Sequence, residues 1–418
     1  MSLIKKTNGD AYAVLKIREF VLFISARFFV TLGIQMQSVI VGWQVYEITK
    51  DPLSLGLIGL AEIIPFFGIA LFGGHIADLF DRRKIILFSV FTYLGAAFML
   101  FLLATYLSDL ITLFGTLPIY SVIFFTGISR AFLYPAIMGL TAQIVPRNLY
   151  ANSATWNSFA WHIAAVSGPA IGGIGYGYFG GGTAYAAVAV FILIGLALYA
   201  QIKSRRVAEK QYNETLKESL KTGLLFVFNN QVLWGAMALD MFAVLFGGVV
   251  ALLPIFAAEI LFAGPQGLGL LRASPFIGAV MMSLAQAHFP PLKNAGRKLL
   301  ISIAGFGVCI ILFAFSKNFY LSMGLLILSG MFDNVSVVIR NTIVQLFTPD
   351  EMRGRVAAIN SIFIGSSNEL GSFESGLAAR LMGIIPSVVF GGGMTLFIAV
   401  FTAKKAPALR KLNLMDKI

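Results

Sequence analysis

The side chains able to do chemistry in this chain are few, and they stand where charge is costly. Arg27, Glu62, Arg130, Asp240, Arg272, Asp333, Arg340, Glu369, Glu374 and Arg380, together with His162, interrupt long apolar runs. An ionisable side chain at bilayer depth costs on the order of 2.5–3.5 kcal/mol on insertion scales, so each calls for a partner or a task. Basic and acidic members are equal in number, which points to pairing rather than to one dominant field. A carboxylate that meets an arginine in a desolvated site can trade a proton against a charged ligand, since burial and a neighbouring cation act on it in opposite senses.

Position along the runs divides this set. Glu62, Arg130, His162, Asp333 and Glu369 fall near the middle of their stretches, while Arg27, Asp240, Arg340 and Trp156 fall nearer one end. Arg272, Glu374 and Arg380 lie toward the other. Ion pairs and gating contacts would account for part of the inventory, and the central members are candidates for ligand binding and proton coupling. Glu62 and Asp333 lead for coupling, with Asp240 in reserve. Trp156, Asn157, Phe159, Trp161 and His162 add rings and polar groups on one segment, and steps of three put Trp156, Phe159 and His162 on one helical face. Rings with Arg130 would suit an aromatic anion. Rings with Glu62, Asp333 and Glu369 would suit a cation through cation–π contact. The balanced charge leaves both open.

Other chemistry has little footing. His75, His162 and His288 are scattered without metal-ligand spacing, Cys309 is the only cysteine, and no glycine-rich loop with Lys-Ser/Thr is present to cradle phosphate. No metal centre, no cofactor and no enzyme are expected. Without an ATP site, uphill work would draw on an ion gradient, with protons as the expected partner.

The elements that position these residues follow from composition. Hydrophobic residues make up 58% and charged residues 12% of 418 residues, and mean hydropathy is +0.85. A span needs about 20 apolar residues in helical form, because backbone polar groups in hydrocarbon must be satisfied within the segment. The pattern predicts an all-α polytopic membrane protein with twelve transmembrane helices at 20–46, 53–74, 85–107, 118–145, 150–178, 184–202, 230–258, 267–289, 298–316, 319–346, 355–381 and 384–403. With both termini cytoplasmic, 24 of the 31 lysines and arginines fall in cytoplasmic tails and loops, as the positive-inside rule requires. The net charge of +12 is thereby assigned to topology and anionic lipid, not to nucleic acid. The first apolar run is too long for a cleavable signal peptide and lacks its cleavage site.

A repeat divides the chain. Pro146, Ala154, Asn157, Ser158, Gly168 and Gly173 recur, without a gap, as Pro349, Ala357, Asn360, Ser361, Gly371 and Gly376. Two six-helix bundles are expected, at 1–202 and 224–403, joined by a polar linker at 203–223 and followed by a tail at 404–418. Arg130 and Asp333 stand at the same repeat offset, so equivalent positions carry opposite charges; this pair is the leading candidate for the binding centre. Charges three and four apart in the linker predict a surface helix.

Short motifs add a resemblance. Gly74, Ala77, Asp78, Arg82, Arg83 and Lys84 resemble the signature loop between the second and third spans of the major facilitator superfamily, with Leu79 and Asp81 departing from its usual Arg and Gly. The resemblance implies a gating role for Gly74, Asp78, Asp81, Arg82 and Arg83 across the interface between halves, with Asp81 a substitute in the charge relay. The second-half counterpart, Gly296-Arg297-Lys298, is degenerate. Gly168, Pro169, Gly172 and Gly173 resemble the antiporter motif of superfamily exporters, with Ala164 in place of its first glycine. Gly127 to Ala136, and Met352 to Val356 with Ser367 to Gly376, resemble the branch that includes enterobactin and macrolide exporters.

The resemblance implies a monomeric secondary exporter in a bacterial inner membrane. It would move a bulky amphiphilic small molecule, a siderophore or drug, by proton antiport and alternating access. A metal or nutrient carrier of the ferroportin kind and a non-transporting membrane sensor remain as alternatives.

Overall fold

The computed structural model describes residues 12–204, 216–349 and 352–417, and helices account for nearly all of them. The main helices are α1 (Arg18–Thr49), α2 (Pro52–Leu79), α3 (Arg82–Thr105), α4 (Leu117–Ile144), α5 (Tyr150–Ala200), α6 (Leu216–Asn229), α7 (Gln231–Gly247), α8 (Gly264–His288), α9 (Ala295–Phe315), α10 (Phe319–Phe347), α11 (Arg353–Met382) and α12 (Ile384–Lys405). Ten helical segments among the described residues are long and apolar enough to cross a membrane.

Local chemistry sets the joints. Lys50 closes α1 in the left-handed region at φ 49°, and Asp51 then caps α2, accepting from the Ser54 amide at 3.1 Å with Pro52 in the first turn. Asn230 caps α7 through the amides of Val232 and Leu233, both at 3.1 Å, and Asn318 caps α10 through that of Leu321 at 3.1 Å.

Three features mark the expected spans. The stretches 150–178 and 184–202 are two helices that meet at a kink with no loop between them, and together they make up the 51 residues of α5. At 1.5 Å per residue that is about 76 Å of helix, more than twice the ~30 Å hydrocarbon core. The element is broken at Gly180, whose φ of 78° and ψ of 170° no side-chain-bearing residue adopts without strain. The expected span 230–258 is interrupted rather than continuous. It leaves α-geometry at Gly248, passes through a 3₁₀ turn (Val249–Leu252), and ends in a π turn at Phe256–Ile260. Third, α11 is absent from the ten apolar segments because Asn360, Asn368, Glu369 and Glu374 lower its hydropathy. It is nonetheless an unbroken 30-residue helix packed on α2 and α7.

Packing separates residues 18–200 from 231–405. In the first group α1 lies along both arms of α5, while α4 packs on α2 and α3; in the second, α8 and α9 pack on α10, and α7 and α9 on α12. The broadest contacts between the groups are α2 with α11 and α5 with α8. Both crossings turn on glycine. A methyl on Gly376 would meet the Pro52 carbonyl at 2.7 Å and the Gly56 Cα at 2.9 Å, and one on Gly173 would meet the Gly269 Cα at 2.7 Å. Gly173 and Gly376 are repeat mates, so the repeat records two equivalent close approaches of backbone to backbone.

Replacing Gly376 with valine is expected to cost about 1–3 kcal/mol of stability through overpacking. At Gly175 a methyl meets nothing within 4 Å, so Gly175→Ala is expected to leave stability unchanged. Thermal unfolding of the two purified variants in detergent checks both outcomes.

Candidate functional site

The site grows from helix contacts. A side chain at Gly127 of α4 would run into the Glu62 carbonyl of α2, and one at Gly59 of α2 would lie 2.6 Å from the Glu369 carbonyl of α11. Close approach at both points brings three helices together at the depth of Glu62. Arg130, nearly one turn beyond Gly127, then reaches two carboxylates. Its Nη1 donates to Glu62 Oε1 at 2.7 Å and to Glu369 Oε1 at 2.7 Å. One guanidinium nitrogen therefore links α2 and α4 of the first half to α11 of the second. The three side chains are 34%, 24% and 18% exposed, in the order Arg130, Glu62, Glu369, so the cluster is lodged between helices yet reachable. The Phe66 ring lies 5.4 Å from the Arg130 guanidinium carbon, a cation–π distance.

Two carboxylates share one guanidinium here. Charge-assisted bonds of this length are strong where water is scarce, yet with both acids ionised the triad keeps one negative charge in excess. Arg272 of α8, whose charge also acts on Glu369, offsets part of that excess, and a proton or a cationic group can supply the rest.

The other expected residues sort differently. Asp333, on α10, is half-buried and makes no hydrogen bond or ion pair among the described residues. Arg130 thus meets Glu62 and Glu369 rather than its repeat mate, because α4 faces α2 and the α11 crossing. Asp240 of α7 and Arg340 of α10 pair with each other and are almost wholly buried, at 6% and 4% exposed, which makes them a lock inside the second half. Asn157 is buried and polar at both ends: its carbonyl accepts from Arg27 Nη1 at 2.8 Å and its amide donates to the Ser153 carbonyl at 3.0 Å.

The aromatic platform splits in two. Trp156 packs at a tilt against Tyr12 at 5.8 Å and edge-on against Phe159 at 5.7 Å, whereas Trp161 meets His162 at 5.1 Å and Phe276 of α8 at 5.7 Å, both edge-on. His162 therefore joins Trp161, and its Nδ1 is buried without a hydrogen-bond partner.

The gating loop works within the first half in its described contacts. Asp81 caps α3, accepting from the Arg83 amide at 2.9 Å, and also accepts from the Ser204 hydroxyl. Arg83 Nη2 donates to the Ala200 carbonyl at 2.6 Å, at the end of α5, and Arg82 Nη1 to the Gly139 carbonyl of α4 at 3.4 Å. Arg83 at the C-terminus of α5 complements the dipole and an unpaired carbonyl there, whereas Arg82 lies against the body of α4. Gly74 and Asp78 lie on α2, and their surroundings fall outside the described residues. In the antiporter-like motif, Gly168 and Gly172 face Gln35 and Met36 of α1, while Pro169 and Gly173 face Gly269 of α8, so one short segment closes two interfaces.

Several contacts between the halves were not anticipated. Arg272 Nη2 donates to Ser38 Oγ at 2.7 Å, Tyr46 donates to Glu259 at 2.8 Å, and Arg380 pairs with Asp51 at 3.4 Å. With the glycine crossings they gather toward the end that carries Asp51, Glu259 and Arg380. Phe66 was also missed, although its spacing of four from Glu62 places both on one face of α2 and was a readable signal. Ser38 and Tyr46 carried none.

Solved structures with the same architecture are membrane transporters. A POT family transporter in complex with 5-aminolevulinic acid superposes with a TM-score of 0.74 at 11% identity, covering 94% of this chain and 96% of that one. A bacterial homologue of the human lysosomal transporter Spinster, inward-facing and unoccupied, gives 0.70 at 13%, covering 96% and 98%. These show the fold. The family model described as transmembrane secretion effector, within the major facilitator superfamily, matches residues 9–418, and the chain belongs to that family. Curated relatives include the enterobactin exporter EntS of Shigella flexneri, 24% identical over 389 residues that cover 93% of this chain and 92% of the relative. EntS of Citrobacter koseri is 23% identical over 373 residues, covering 89% and 88%. The protein is a multi-pass membrane transporter and not an enzyme.

Removing one member of the buried pair leaves an uncompensated charge. Arg340→Met alone is expected to cost about 3–5 kcal/mol, and the double change Asp240→Leu with Arg340→Met is expected to recover most of it. A double-mutant cycle on thermal unfolding reads the difference.

Proposed function

We propose that this protein is a secondary active exporter of a bulky amphiphilic small molecule, driven by proton antiport across a bacterial cytoplasmic membrane. It works as a monomer of twelve crossings with both ends in the cytoplasm. Residues 1–202 and 224–403 form the two moving bundles, 203–223 the linker and 404–418 the tail.

The single observation that carries this reading is the Arg130 Nη1 atom bonded to Glu62 and Glu369 at 2.7 Å each, because it joins the two halves near the middle of their apolar runs. A triad one positive charge short of neutrality is a place where a proton and a cargo group can exclude each other, which is the condition for antiport. The same bond must break when the halves rock, so cargo arrival and conformational change act on one set of atoms. Clustering of the cross-half contacts at the end that carries Asp51, Glu259 and Arg380 supports a state closed to the outside and open to the cytoplasm. The named cargo of the EntS relatives, enterobactin, supports an organic molecule of the siderophore or drug class, and the two aromatic groups on α5 supply ring faces for it.

The test is substrate-dependent proton release from proteoliposomes holding an imposed pH gradient, with catecholate siderophores, macrolides, lipophilic cations and divalent metals as the panel. Movement of an organic compound coupled to proton flux is the expected result. Metal movement with no coupling to any organic compound would replace the reading with a metal carrier.

Within that assay, Glu369→Gln and Glu62→Gln are expected to lower uphill efflux at least roughly tenfold, the equivalent of about 1.4 kcal/mol. Cargo exchange without a gradient is expected to persist. Uphill transport at the wild-type rate in both variants would remove the triad from coupling.

A further inference from the structure

The two halves hold their cytoplasmic loops by different means. In the first half the loop between α2 and α3 is gripped by basic side chains, Arg82 on the Gly139 carbonyl and Arg83 on the Ala200 carbonyl. The equivalent basic pair in the second half, Arg297 and Lys298, is exposed and makes no hydrogen bond or ion pair through its side chains among the described residues. That loop is held instead by the segment following α12. The Gly296 amide donates to the Leu412 carbonyl at 3.1 Å, the Leu414 amide donates to the Leu292 carbonyl at 3.1 Å, and the Asn294 amide donates to Asn413 Oδ1 at 3.3 Å.

Side chains bury the same junction. Leu409 and Leu414 are 0% exposed and Leu412 9%. They share one apolar cluster with Leu233 of α7, Leu299 of α9, Ile343 of α10 and Ala399 of α12, so the segment reaches the ends of four helices. A methyl on Gly296 would fall on the Leu409 carbonyl, so glycine is what lets the segment cross the start of α9 this closely. A solvated tail would need neither the reciprocal backbone bonds nor three buried leucines.

We infer that residues 406–417 are a permanent strap that replaces the lost basic grip of the second half, fixing the α8–α9 loop to the helix ends so that this bundle moves as one body during transport. The inference rests on the transport reading for its effect on turnover, and on the structure alone for the strap itself. A permanent strap stays shut through the cycle, which separates it from a gate.

Three variants of the full transporter test it, with turnover normalised to folded protein. Ending the chain at Lys405 is expected to lower turnover several-fold while leaving KM unchanged, since the midplane triad is untouched. Cross-linking Asn294→Cys to Asn413→Cys, on a Cys309→Ser background, is expected to leave turnover at the wild-type level. Gly296→Ala, a milder change that spares the strap's own residues, is expected to raise the labelling of a cysteine at 413 by a membrane-impermeant maleimide from the cytoplasmic side. Wild-type turnover in the truncated chain would overturn the inference, as would arrest by the cross-link, which would make the strap a part that has to open. If the protein moves no compound in the panel, the transport reading falls by itself. The maleimide arm still decides the strap: equal labelling of position 413 with and without the Gly296→Ala change would show that nothing holds it there.

Discussion

One guanidinium shared between carboxylates of opposite halves is the interaction on which the arrangement of this protein turns. Arg130 can bridge Glu62 and Glu369 only because α2, α4 and α11 come within backbone contact, and they do so because Gly59 and Gly127 offer no side chain at the points of closest approach. In lipid there is no hydrophobic force pressing helices together, so close packing and polar bonds must supply the association. The triad and the glycines beneath it are therefore one device: the glycines set the distance and the charges give it a reason to persist.

The same economy explains why the chain tolerates so many ionisable groups in apolar surroundings. Asp240 and Arg340 neutralise each other where neither is reachable, and Arg27 is met by Asn157. The triad differs in being partly exposed and in having unequal numbers of acid and base. A balanced, sealed pair stabilises a bundle and offers nothing to a ligand. An unbalanced, accessible cluster between halves can respond to one, and it lies where a change in its partners alters the relation of the two bundles.

The halves carry the repeat in their helix crossings and lose it at their edges. Gly173 with Gly269 and Gly376 with Gly56 are equivalent contacts, and a backbone approach of that kind admits no other residue. The loops at the far ends of the helices are free of that limit. Basic side chains serve in one half, and a returning segment of backbone and leucines serves in the other. Helix ends need their carbonyls and loops held by something, and more than one chemistry meets that need.

Hydropathy and charge made the helical membrane fold legible in the sequence, because lipid requires a run of apolar residues for each crossing and cytoplasmic loops collect lysine and arginine. Glu62, Arg130 and Glu369 were each legible as costly charges near the bilayer centre. Their meeting was not. A helix turns about 100° per residue, so a phase error of one residue moves a side chain from one neighbour to another, and the repeat pointed Arg130 toward Asp333 when its partners lie on α2 and α11. The joint between 178 and 184 was legible, and Gly180 breaks α5 there, but the interruption of α7 beyond Gly248 and the strap over Gly296 depend on contacts between segments far apart in the chain. What the sequence determined by itself was which residues lipid would expel or demand a reason for. Which of them answer one another was decided only when the helices packed, since that choice rests on rotation and distance between helices and not on any single segment.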